Sequence, residues 1–211
     1  MTEEKLRIAV LATARALNAS GINRGTAGNV SARCPEGGFL ITPTGLPYDE
    51  AKAGDIVPMD TDGTWRGTRG PSSEWRIHRD IYAARAEAGA IVHAHSPFAT
   101  ALACMGRDIP PFHYMIARFG GKDVRCAAYA TFGTQQLSDA VLVALQERNG
   151  CLMAHHGMLV HGHDLKQALA LAIELETLCE QFWRVLQIGE PSLLPDDEME
   201  RVLEKFAGYG K

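Results

Sequence analysis

No stretch of this 211-residue chain approaches the roughly 20 apolar residues in a row that a membrane-spanning helix requires. Its first residues, Met1-Thr-Glu-Glu-Lys, are acidic and lack the basic segment and apolar run of a secretory signal. Basic blocks are missing as well: the net charge is −4 and the Lys and Arg are dispersed, which argues against a nucleic-acid or anionic-membrane partner. Cysteine is sparse, and Cys34, Cys104, Cys126, Cys151 and Cys179 are odd in number and contain no CxxC pair. That pattern argues against a disulfide scaffold or a thiolate zinc site, and a reducing cytoplasm is the expectation. Repeats, linkers and low-complexity tracts are absent. A composition 46% hydrophobic and 22% charged supports one compact globular domain spanning 1–211.

What is present alternates between helical and strand patterns. Thr2 caps a helix carrying Glu3 and Glu4 in its first turn and Leu6, Val10 and Leu17 on one stripe, closing near Gly21. Phe39–Thr42 and Asp55–Pro58 read as short strands, with the turn Pro43-Thr-Gly45 after the first. Ser72-Ser73 is expected to cap a helix with Ile77, Ile81 and Ala84. Ala90–His95 reads as a strand, and Ser96-Pro97 starts a helix that ends at Gly106. Thr134 caps a helix reaching about Arg148. Cys151–His156 and Met158–Val160 form a strand or hairpin, and Asp164 with Gln167 resembles a capping box for a long helix through Leu165, Leu169, Ile173 and Trp183. Interleaved helices and strands predict layers of sheet and helix.

Eight histidines are the main chemical feature. His93 and His95 stand at i, i+2 on a predicted strand, so both imidazoles leave one face and can chelate one ion. His155-His156-Gly157 is a second histidine site on an apolar run, and alternation lets at most one of the pair join His93 and His95. The apolar neighbours on both sides leave open which one. Three histidines with an open fourth position make the usual catalytic zinc arrangement. Ser72 and Ser73 place hydroxyls and free N–H groups at a helix start, an anion site in the making. Glu74 beside them is a candidate base or fourth ligand, or a partner of His78 at i+4. Gly25-Thr-Ala-Gly-Asn29 permits a backbone nest for phosphate. It lacks the Walker lysine and the full G-x-G-x-x-G pattern of nucleotide sites.

Seven motifs occur in one order: Gly25-Thr-Ala-Gly-Asn-Val-Ser31, Ile41-Thr-Pro-Thr-Gly45, Pro71-Ser-Ser-Glu-Trp75, Val92-His-Ala-His95, Ile109-Pro-Pro-Phe-His-Tyr-Met115, Tyr129-Ala-Thr-Phe-Gly-Thr134 and His155-His-Gly157. Together they resemble the class II aldolase/adducin family over nearly the whole chain. The resemblance implies an α/β fold, a three-layer α/β/α sandwich around a mixed, mainly antiparallel sheet. It implies a zinc-dependent lyase (cobalt or manganese being other divalent candidates) that cleaves a ketose 1-phosphate, such as L-fuculose 1-phosphate or a 5-deoxypentulose 1-phosphate, into dihydroxyacetone phosphate and an aldehyde.

By the same resemblance His93, His95 and His156 are the metal ligands, and Glu74 is a displaceable ligand and the acid/base group. Gly28, Asn29, Thr44, Gly45, Ser72 and Ser73 make the phosphate pocket. Tyr114 matches a tyrosine reaching a neighbouring subunit's site as proton donor, and Tyr209 a catalytic tail tyrosine. His155 is left as a residue that packs beside the ligands or supports them from behind. The assembly implied is a homotetramer. Alternatives within the family are a 4-epimerase acting on L-ribulose 5-phosphate and a methylthioribulose-1-phosphate dehydratase. An adducin-like head, a binding module without the metal ligands, is the non-enzymatic alternative.

Overall fold

The computed structural model describes residues 1–208; Tyr209 lies outside the described residues. Seven strands form one sheet in the order β3-β2-β1-β4-β7-β6-β5. They are β1 (Asn29–Arg33), β2 (Phe39–Ile41), β3 (Val57–Met59), β4 (Ala90–Ala94), β5 (Cys126–Ala127), β6 (Gly150–Met153) and β7 (Gly157–Gly162). Every neighbouring pair is antiparallel except the edge pair β5–β6, which is parallel.

Both faces of the sheet are covered, which is why its strands read as apolar runs rather than as clean alternation. On one face lie α1 (Glu3–Ala19), α3 (Pro97–Ala103) and α5 (Leu165–Ile188), meeting Val30, Leu40, Val92, Leu152 and Val160. On the other lie α2 (Trp75–Ala84) and α4 (Gln135–Ala144), meeting Phe39, Ile41, Ile91, Cys151 and Leu159. Neighbouring residues such as Ile91 and Val92 therefore serve opposite cores, as a period of two requires. The three-layer, mainly antiparallel expectation holds.

Several local expectations need correction. In α5 the buried stripe is Ala168, Leu171, Ala172, Leu175, Leu178, Cys179 and Phe182, while Ile173 and Trp183 face outward. Each fully buried leucine there contributes about 2 kcal/mol of apolar burial. The third strand starts at Val57, because Ala53–Asp55 forms a 3-10 turn closed by Asp55 accepting from Lys52 N–H. Ser96 occupies the cap position of α3 but donates its hydroxyl to Glu176, and Glu176 caps the helix itself by accepting from Phe98 and Ala99 N–H. α4 stops at Ala144, four residues early, and Glu147 takes a left-handed backbone. A last helix, α6 (Asp196–Ala207), escaped the sequence reading although its signals are ordinary. Pro195 precedes it, Asp196, Asp197 and Glu198 fill its first turn, and Lys205 stands in its last.

A candidate metal centre at the start of the second helix

Strand β4 carries His93 on the face that looks toward α2, since Ile91 two residues earlier packs in that layer. His95 follows one step beyond the end of the strand and opens to solvent. The helix α2 begins at Trp75, not at the serines, so Glu74 occupies its cap position. Ser72 Oγ instead accepts from Glu74 N–H. This two-residue offset aims the Glu74 carboxylate at β4.

The hairpin between β6 and β7 supplies the third histidine. Met153 pairs with Gly157, so Ala154, His155 and His156 are a three-residue turn rather than strand residues. The sequence argument from strand alternation fails here, although its outcome, one histidine in and one out, stands. His155 takes φ +55°, and this left-handed step separates the two side chains. The hairpin can seat itself only because residue 157 is glycine: a Cβ there would stand 2.5 Å from Ala94 O.

The result is a tight cluster. The ligand-capable atoms of Glu74, His93, His95 and His156 all lie within 4.8 Å of one another. His93 Nε2 is 3.0 Å from His95 Nε2 and 3.1 Å from Glu74 Oε2, and His156 Nε2 is 3.1 Å from Glu74 Oε1. His93 Nδ1 lies 2.8 Å from Met158 O, to which only an N–H can bond, so the neutral ring presents a lone pair at Nε2. Glu74 Oε1 is buried without a hydrogen bond. Converging lone pairs around an orphaned buried oxygen fit a divalent cation, and the three-imidazole, one-carboxylate donor set suits a transition ion such as zinc.

Electrostatics agree with that fit. Burial alone raises a carboxyl, but the His93 and His156 imidazoles outweigh it and hold Glu74 well below the usual carboxylate range. Burial alone lowers an imidazole, yet the Glu74 carboxylate reverses this at His93 and raises it. His95 is lowered to about 4, by burial first and then by the two neighbouring imidazoles. Nitrogens and carboxylate already positioned for a positive centre need little reorganisation to bind one.

A cleft of about 470 Å³ opens above the cluster, and its lining includes Gly28, Asn29, Thr44, Gly45, Ser72 and Ser73. All six residues expected at the phosphate pocket therefore meet at one place. Ser72 N–H donates to Thr42 O and Thr44 N–H to Gly70 O, which clamps the two loops side by side. The opposite wall is Tyr129, Ala130, Phe132 and His155. Arg76 on α2 holds that loop by donating to Gly133 O. His155 is exposed and lies edge-on to Tyr129, ring centroids 5.9 Å apart, so it packs on the cleft wall beside the cluster rather than joining it. Tyr129 and Phe132 belong to the motif Tyr129-Ala-Thr-Phe-Gly-Thr134, but nothing in their spacing reveals a wall.

Tyr114 is not brought to this cleft. It stacks on Phe206 along a separate groove between α6 and the 3-10 turn Tyr114–Phe119, and is half exposed. His78 does not bond Glu74 directly either. It bonds Asn29 and Ser31, inside the protein.

The chain matches the family described as the class II aldolase and adducin N-terminal domain over residues 8–183. It is 56% identical to the 5-methylthioribulose-1-phosphate/5-deoxyribulose-1-phosphate aldolase of Rhodospirillum rubrum, covering 97% of this chain and 92% of that protein. Identity to the L-fuculose phosphate aldolase of Escherichia coli is 44%, covering 100% of this chain and 98% of that one. Among solved structures, an L-fuculose 1-phosphate aldolase superposes with a TM-score of 0.93 at 39% identity, covering 96% of both chains.

Proposed function

The chain belongs to the class II aldolase and adducin family, and on that premise we propose that it is a cytoplasmic, zinc-dependent homotetramer that releases dihydroxyacetone phosphate from a ketose 1-phosphate. Its aldolase relatives at high identity make it a metal-dependent sugar-phosphate aldolase, a carbon–carbon lyase. The observation that carries the reading is the complete Glu74–His93–His95–His156 cluster at the floor of a cleft walled by hydroxyls and glycine loops. An adducin-like binding module has no use for that set.

A divalent cation bound there supplies Lewis-acid stabilisation for the negative charge that grows on the substrate's carbonyl oxygen during cleavage. The rest falls to the chain. Gly28, Asn29, Thr44, Gly45, Ser72 and Ser73 hold the phosphate and so fix the reacting carbons over the cluster. In cleavage a proton leaves the C4 hydroxyl, the C3–C4 bond breaks, its electron pair moves toward the C2 carbonyl, and a proton arrives at C3. Glu74 delivers that last proton and, in the synthetic direction, removes it, a role for a carboxylate able to leave its position between two imidazoles. Tyr114, remote from the cleft of its own chain, serves the aldehyde oxygen at a neighbouring subunit's site, with Tyr209 as the tail tyrosine.

For the aldehyde half, the aromatic wall favours an apolar group. Tyr129 and Phe132 are about two-thirds exposed at the cleft mouth, 64% and 65%. Together with the 56% identity to the Rhodospirillum rubrum enzyme, this supports a 5-deoxy- or 5-methylthiopentulose 1-phosphate as substrate. L-fuculose 1-phosphate is the second reading, supported by the E. coli relative.

A coupled assay for dihydroxyacetone phosphate over these three substrates, before and after chelation, tests the proposal. Fastest release from a 5-deoxy- or 5-methylthiopentulose phosphate, abolished by chelator and restored by zinc, is expected. Epimerisation of L-ribulose 5-phosphate, or loss of water with the carbon chain intact, overturns it.

A further inference from the structure

Beneath the cleft floor a line of polar side chains runs from Glu74 into the core. Asn29 Nδ2 is 2.9 Å from Glu74 Oε2, and Asn29 Oδ1 is 2.5 Å from His78 Nε2. His78 Nδ1 is 2.6 Å from Ser31 Oγ, which is 2.7 Å from the Tyr82 hydroxyl. All five residues are buried, and His78 and Ser31 are fully so. Two periodicities interlock to make the line. Asn29 and Ser31 share one face of β1, and Glu74, His78 and Tyr82 recur every four residues along α2.

Placing so many polar groups in a core is costly unless each is satisfied, so their protons have little choice. The Glu74 carboxylate accepts only, hence Asn29 turns its amide nitrogen to it. The Asn29 carbonyl then faces His78 Nε2, which must carry the proton. His78 Nδ1 is left as an acceptor for the Ser31 hydroxyl, and Ser31 accepts in turn from Tyr82. Burial holds His78 neutral, its pKa lowered to about 3, as this arrangement needs. Every donor points toward Glu74.

We propose that His78, locked in its Nε2–H form by Ser31 and Tyr82, is a positioning residue that pins the Asn29 carbonyl so that Asn29 presents only N–H to the Glu74 carboxylate. With the pin removed, the Asn29 amide turns freely and can set its oxygen against Glu74, which tips the carboxylate away from His93 and His156. The inference deepens the aldolase reading at this site, but its structural and metal-binding consequences do not depend on that reading.

The test uses the full chain as His78→Leu, which keeps bulk and removes the donor, and His78→Gln, whose amide N–H lies near the place of Nε2–H. Long-range 15N–1H NMR of the metal-free wild type should show His78 neutral with the proton on Nε2; a proton on Nδ1 overturns the proposal. Cobalt affinity, read by absorption against a competing chelator, should fall about tenfold or more in His78→Leu and return to within about threefold of wild type in His78→Gln. With a cleaved ketose 1-phosphate, kcat should follow the same order while KM moves less. Equal losses in both variants, or unchanged cobalt affinity in His78→Leu, overturn the proposal. Should His78→Leu fail to fold, Tyr82→Phe decides the matter: it removes only the donor to Ser31, and an imidazole proton distribution identical to wild type contradicts the lock. A wild type that cleaves no ketose phosphate defeats the aldolase reading and leaves the NMR and cobalt results to judge this one.

Discussion

His155 and His156 are bonded neighbours, yet a left-handed step at His155 sends one ring edge-on to Tyr129 and the other to within 3.1 Å of Glu74. Only the second can share an ion with His93 and His95. The two single alanine variants should therefore differ sharply. His156→Ala should lose most bound metal, and His155→Ala should keep about one ion per chain while altering kinetics with substrate. Metal analysis of both purified variants side by side checks this, and the reverse pattern would show that the turn is assigned wrongly.

Glu74→Gln replaces a base by an amide of the same shape, at a position where two imidazoles hold the carboxyl strongly acidic. Turnover should fall roughly 100-fold or more, because an amide neither gives nor takes the carbon-bound proton. Exchange of solvent deuterium into dihydroxyacetone phosphate isolates that step. Near-normal exchange in the variant would assign the proton transfer elsewhere.

Two glycines of the cleft allow a matched comparison. Gly28 and Gly45 both have positive φ, +71° and +65°, but a Cβ at Gly28 would lie 2.5 Å from His93 O, whereas at Gly45 nothing stands within 4 Å. Gly45→Ala should cost only backbone strain, about 1 kcal/mol. Gly28→Ala adds displacement of the β4 backbone that carries His93, raising the loss to about 2–4 kcal/mol and weakening metal binding. Urea denaturation of both variants measures the difference, and equal losses would mean that β4 yields at no cost.

The buried His78 makes stability pH-dependent in a definite direction. Its ordinary pKa of 6.5 is lowered to about 3, chiefly by burial and then by the charge of His93. The unfolded chain thus binds the extra proton between those values. Stability from this group is complete above pH 6.5 and is lost as pH falls toward 3, by on the order of a few kcal/mol. Urea midpoints of the metal-free protein should decline over that window, and less steeply in His78→Gln, with remaining slope from His95 and His161 and, at its acid end, from Glu74 and Asp80. Parallel slopes in the two proteins would show that His78 titrates normally in the folded state.

Much of the molecule was legible in the chain because it depends on short-range chemistry. Thr2, Thr134 and Asp164 cap their helices as their residue types foretell, each side chain accepting from an N–H three residues on. The i, i+2 spacing of His93 and His95 suffices to point both rings one way. The ordered motifs carried the family, and with it the layers of the fold and the choice of His156. Tertiary structure alone decided the rest, since it depends on contacts between distant segments. Glu176 became the cap of α3 because α5 packs against it, leaving the Ser96 hydroxyl as a donor to that carboxylate. His78 bonds Asn29 rather than its helix neighbour Glu74 because α2 packs on the sheet face that carries Asn29 and Ser31, so the partner is a side chain 49 residues away. His155 left the strand because Met153 pairs with Gly157, a register set across the hairpin and invisible to alternation counted along one segment. A sequence fixes what a residue can donate, accept or cover; which partner it meets is settled when helices close over both faces of the sheet.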